Sequence, residues 1–86
     1  MVNKHLIALF GLRIRELREA KKVSQEKLSY STGFHRTYIG MIERGERNIS
    51  LTNMAVFAKV FEINLSEFLD FKSISLFKKY ETKTQK

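Results

Sequence analysis

Apolar positions recur along the chain at the three-and-four spacing of helices with one buried face. Phe10, Ile14 and Leu17 form such a stripe in a predicted first helix over residues 4–21, with Leu6 and Ile7 continuing it. Arg13, Arg15, Arg18, Lys21 and Lys22 decorate the remainder. Leu9 and Leu12 fall off the stripe and read as incidental or as part of a contact surface. Val23 follows as a buried connector. A short second helix runs from the Ser24 cap to about Ser31 with Leu28 inward, and a third starts near Arg36. Ser50 or Thr52 caps a fourth helix reaching about Phe61, with Leu51, Met54, Phe57, Ala58 and Phe61 as its buried set. Ile63 and Leu65 bridge to Ser66, which opens a short fifth helix carrying Phe68 and Leu69. No segment alternates as a strand would, and proline is absent, so the expected fold is all-α.

The stretch from Ser24 to Arg47, SQEKLSYSTGFHRTYIGMIERGER, organises the rest. The Ser24 hydroxyl suits an N-cap, where it can accept from an otherwise unpaired first-turn N–H. Gly33 can take the left-handed conformation that ends one helix and swings the chain into the next, with Phe34 pointing inward. That is a helix-turn-helix layout, and Gly45 is placed to stop its second helix. At 100° per residue, Ile39 and Ile42 share one side of that helix, with Tyr38 and Glu43 at its margins. The opposite side collects Arg36, Thr37, Gly40, Met41 and Arg44. Such a strip matches the major groove: an arginine fork fits guanine O6 and N7, a threonine methyl or a methionine touches a thymine methyl, and a further arginine reaches phosphate. An ordinary solvated helix face is the competing reading.

Charge sharpens the picture. The net charge is +7, distributed as +5 over residues 1–47, −2 over 48–71 and +4 over 72–86. A polyanion is the simplest partner, nucleic acid ahead of a membrane surface. At 86 residues the chain has room for one domain. Residues 1–77 are read as a DNA-binding domain with a C-terminal dimerisation segment, and residues 78–86 as a basic, disordered tail. Cysteine is absent, which removes disulfides and thiolate metal sites and agrees with a cytoplasmic location. The apolar run Leu6 to Phe10 is far too short for a membrane span. His5 and His35 lie on separate elements, no carboxylate pair has the spacing of a shared site, and no glycine-rich phosphate loop occurs. Neither an enzyme, a cofactor, a metal site nor a small-molecule substrate is expected. Arg18 and Glu43 each sit at the margin of a core face, and a partly buried ion pair between them would tie the first helix to the end of the third.

The segments IRELR (14–18), SQEKL (24–28), RTYI (36–39) and IERGER (42–47), with Gly33, Leu51, Met54, Ala58, Leu65 and Leu69, carry a resemblance to the five-helix domain of phage repressors and Cro, covering Phe10 to Leu69. RTYIGMIERGERNISL further resembles the controller proteins of restriction-modification systems, small dimers that bind their own promoter region. The resemblance implies base reading by Arg36, Thr37 and Met41, and backbone or flanking contacts by Gln25, Tyr38, Arg44, Arg47 and Asn48. It also matches Arg18 with Glu43 as an ion pair. Three positions depart from the pattern: Lys22 where Gly or Asn ends the first helix, His35 where Ser, Thr or Asp caps the third, unless Thr32 supplies that cap, and Gly40 in mid-helix, where it would allow close approach to a base or the sugar-phosphate chain. The implied partner is double-stranded DNA with two half-sites about 34 Å apart, read by a homodimer. Its interface would draw on Leu65, Phe68, Phe71, Ile74 and Phe77, unless Phe71 to Phe77 folds back on its own monomer. A phage-type repressor or an antitoxin-like protein-interaction module is the alternative function.

Overall fold

A computed structural model describes residues 4–70 of the chain. Its elements are α1 (Lys4–Ala20), α2 (Gln25–Thr32), α3 (Arg36–Glu43), α4 (Leu51–Phe61) and α5 (Leu65–Phe68), and no strand occurs among the described residues. The all-α expectation holds.

Local chemistry sets the boundaries. Ser24 Oγ accepts from the Lys27 amide at 3.0 Å, and Ser50 Oγ accepts from the Asn53 amide at 3.1 Å, each satisfying a first-turn donor. Asn64, rather than Ser66, caps α5: its Oδ1 accepts from the Glu67 amide at 2.8 Å, and the Ser66 hydroxyl only supports that oxygen. Ser66 therefore lies inside the first turn. Gly33, at φ +83°, closes α2 with a bond from its N–H to Ser29 O. Lys22 and Glu62 are left-handed at φ 57° and 62° and close α1 and α4. In both, the next residue's N–H returns to a carbonyl five positions back, Val23 to Arg18 and Ile63 to Ala58. Each non-glycine residue accepts about 1 kcal/mol of strain to make that turn.

The core gathers one face from every helix: Leu9, Phe10 and Ile14 from α1, Leu28 from α2, Ile39 and Ile42 from α3, Phe57, Ala58 and Phe61 from α4, and Phe68 from α5. Phe68 stands edge-on to Phe10 at 5.2 Å and 6.3 Å from Phe61, and Phe34 meets Phe57 at 5.2 Å. Several expectations need correction. Leu9 is fully buried and Leu12 partly so, because α1 is enclosed by both α3 and α4 and buries a wider arc than one stripe. Arg13 is also buried: its Nε donates to Phe68 O at 3.0 Å and its Nη2 to Glu67 O at 2.8 Å, satisfying carbonyls at the end of α5. Leu51 is 64% exposed, since it begins α4 at the surface, and Leu69, just past α5, is exposed as well. Phe68 does not form part of a dimer interface as the sequence suggests, because its side chain is wholly buried inside the monomer.

Gly11 lets α1 and α3 touch backbone to backbone. A Cβ there would collide with the carbonyl oxygen of Ile42 and lie 2.9 Å from that of Glu43. Since neither carbonyl is a flexible side-chain end, Gly11→Ala is expected to destabilise the fold by about 2 kcal/mol, read as a lower urea midpoint with an unchanged slope. An unaltered midpoint would show that the two helices separate without cost.

Candidate DNA interface

The third helix is held from behind. Arg18 Nε donates to Glu43 Oε2 at 2.7 Å and its Nη2 to Glu43 Oε1 at 3.0 Å, a two-pronged pair with side chains only 12% and 4% exposed. The hydrogen bond to Glu43 raises the Arg18 pKa further above its already high ordinary value, against the opposing effect of burial. Arg18 Nη1 also donates to Val23 O at 2.9 Å, and Gln25 Nε2 to Glu43 Oε1 at 3.0 Å. One carboxylate thus joins α1, α2 and the end of α3 (Gln25 is placed as a brace).

At the other end, His35 Nδ1 accepts from the Thr37 amide at 3.0 Å, so His35 itself caps α3. Thr32 does not supply that cap. Its hydroxyl donates to Leu28 O at 2.9 Å and accepts from the Phe34 amide at 3.1 Å, tying the turn to α2.

From this support Arg36 and Thr37 project into solvent, and Met41 is half-buried beside them. Tyr38 is half-buried too. Its ring meets Phe34 edge-on at 5.3 Å, its hydroxyl accepts from Asn53 Nδ2 at 2.9 Å, and the Arg47 guanidinium lies 5.1 Å from its centroid. Arg47 is thereby held beside α3 by attraction to the ring. Arg44, Arg47 and Asn48 are exposed. The chain reverses here because Gly45, at φ +75°, allows Glu46 N–H to reach Met41 O at 2.8 Å.

Gly40 is not on the open strip. It is buried, and a Cβ there would lie 3.2 Å from Arg44 Nη1 and 3.5 Å from Gln25 Oε1. One position past Ile39, it turns toward α2, and its missing side chain makes room for two neighbouring side chains of this protein. Leu65 is half-buried against the core, while Phe71, Ile74, Phe77 and the 78–86 tail lie outside the described residues. Sequence reading missed Asn53, which positions Tyr38, and Glu46, which faces Arg44. The second had a visible signal: a carboxylate two residues from a basic side chain across a predicted glycine turn. Among the described residues, no helix is long and apolar enough to cross a membrane.

Residues 14–68 match the helix-turn-helix family. The control protein C.BamHI of Bacillus amyloliquefaciens is 45% identical over 74 residues, spanning 85% of this chain and 91% of that protein. The crystal structure of the restriction-modification controller C.AhdI from Aeromonas hydrophila superposes with a TM-score of 0.69 at 45% identity, over 72% of this chain and 94% of that one. C.Esp1396I, solved as a tetramer on its natural 35 base-pair operator, matches with a TM-score of 0.71 at 30% identity, over 85% and 91% of the two chains. The chain therefore belongs to the helix-turn-helix family, among the control proteins of restriction-modification systems.

Proposed function

We propose that this protein is a dimeric regulator of transcription that binds its own promoter region and controls the genes of a restriction-modification system. The observation that carries the reading is the exposure of Arg36 and Thr37, with Met41 beside them, on a helix braced through Glu43 to two others. Those three side chains read bases, while Tyr38, Arg44, Arg47 and Asn48 meet the sugar-phosphate chain. Gln25 acts from behind by holding Glu43 and can still reach a flanking phosphate at the start of α2. The protein performs no catalysis and acts on DNA in the cytoplasm.

A single α3 reads only a few base pairs, so useful specificity calls for two copies one helical turn apart. An apolar groove of about 260 Å³, lined by Leu6, Ile7, Phe10, Ile49, Met54 and Leu69, supports such pairing, since Arg47 and Asn48 also border it and make it continuous with the DNA face. Leu65, Phe71, Ile74 and Phe77 complete the dimerisation segment of a domain spanning residues 1–77, followed by the 78–86 tail.

Footprinting on the DNA upstream of the gene, combined with sedimentation at about 50 μM protein, tests the proposal. A dimer protecting two half-sites about 34 Å apart is the expected result. A monomer at that concentration overturns the dimer, and protection no better than on random DNA overturns the regulator.

A further inference from the structure

Arg44 does not wait with its fork open. Its Nε donates to Glu46 Oε2 at 3.0 Å and its Nη2 to Glu46 Oε1 at 3.2 Å, leaving Nη1 lying across Gly40. Both side chains are about half exposed, at 59% and 49%. The Glu46 backbone is itself tied to the end of α3 through Met41 O and the left-handed Gly45. Its side chain therefore starts from a fixed point beside the strip, within reach of Arg44. Glu43, the other carboxylate at this end of the helix, is buried and engaged with Arg18 and Gln25.

We propose that Glu46 is a positioning residue for Arg44, folding it back along α3 and masking its charge, and so lowering attraction to DNA of arbitrary sequence. The inference rests on the reading that this face meets DNA. Attraction to random DNA comes almost wholly from the cations a face offers to phosphates, with each neutralised phosphate adding about 0.9 to the salt slope. An Arg44 paired with Glu46 offers no net charge. The same pairing holds the guanidinium in one place, so that in a fixed register its free Nη1 can meet one phosphate without first losing side-chain freedom. Arg44 holds the Glu46 carboxyl below the usual carboxylate range and is itself raised by the pair. A depressed carboxyl is still ionised through that range and is protonated only as the pH falls through its own lowered value, so the pair persists at neutral pH.

The test compares wild type, E46Q, R44A and the R44A/E46Q double variant on the upstream duplex and on a scrambled duplex of equal length, by fluorescence anisotropy at several salt concentrations. E46Q is expected to bind the scrambled duplex about threefold more tightly, with a salt slope steeper by about 0.9. On the upstream duplex the gain is smaller, because Arg44 regains the mobility that Glu46 removed, so the ratio of specific to random affinity falls. In the R44A background the same change leaves the salt slope unaltered, because no guanidinium is there to be released, and only the small relief of carboxylate repulsion remains. E46Q matching wild type in random affinity and slope would overturn the inference, as would a loss confined to the upstream duplex, which would make Glu46 a base reader. If wild type fails to tell the two duplexes apart, the DNA-reading assignment falls and takes this inference with it; if wild type discriminates and E46Q changes nothing, only the inference falls.

Discussion

Glu43→Ala is expected to lower the stability of the fold by about 3 to 5 kcal/mol, the largest loss among the substitutions considered. The side chain receives three donors, two from Arg18 at 2.7 and 3.0 Å and one from Gln25 at 3.0 Å. With both members of the pair nearly enclosed, the attraction is little screened by solvent. Removing the carboxylate strands the Arg18 guanidinium, whose single remaining bond to Val23 O cannot neutralise it. That asymmetry separates the cost of breaking the pair from its net worth. Arg18→Met with Glu43→Leu, which removes both charges and keeps apolar bulk, should cost far less than either single change and can come out neutral. Urea denaturation of Glu43→Ala, the two single changes and the double variant reads the difference directly. A Glu43→Ala midpoint equal to that of wild type would mean that the guanidinium finds water easily and that the brace behind α3 is weak.

The sequence announced this pair because both residues sit beside inward-pointing neighbours, Leu17 and Ile42, near the edges of two core faces. Other parts were legible for similar reasons. Where a local rule acts alone, as at the Ser24 and Ser50 caps or the Gly33 and Gly45 turns, reading the chain places the boundary within a residue or two. It fails where a distant segment decides. Arg13 reads as surface charge until α5 returns and presents the carbonyls of Glu67 and Phe68 to it. Leu9 reads as off the stripe until α1 is seen to be covered on two sides. Phe68 reads as spare hydrophobic surface until α5 folds its ring onto Phe10 and Phe61.

The candidate site divides along the same line. Exposure of Arg36 and Thr37 follows from helical periodicity, since Ile39 and Ile42 fix which side faces the core. Gly40 falls on the open side of a helical wheel, which gives an angle and no neighbours. The α2 side chain Gln25 and the folded-back Arg44 turn that angle into an inside position. His35 stands where Ser, Thr or Asp is the usual cap, yet its ring nitrogen reaches the Thr37 amide at 3.0 Å, so the start of α3 is held by the residue just before Arg36.

That placement leads to the largest expected effect on DNA binding. Arg36 is the first residue of α3, exposed and carried on a capped end, where a long side chain can reach base edges while the helix stays put. Arg36→Ala should cost on the order of 1 to 3 kcal/mol on the upstream duplex, roughly a 5- to 150-fold loss of affinity, and relax base preference at one position in each half-site. On scrambled DNA the loss should be small. Arg47→Ala is the control, because Arg47 is assigned to the phosphate chain: it should weaken both duplexes alike and flatten the salt slope by about 0.9. Competition binding against a panel of single-base variants at two salt concentrations separates the two behaviours. If Arg36→Ala instead behaves like Arg47→Ala, losing equally on both duplexes with no change in base preference, Arg36 is one more phosphate contact and the reading of sequence must lie with Thr37 and Met41.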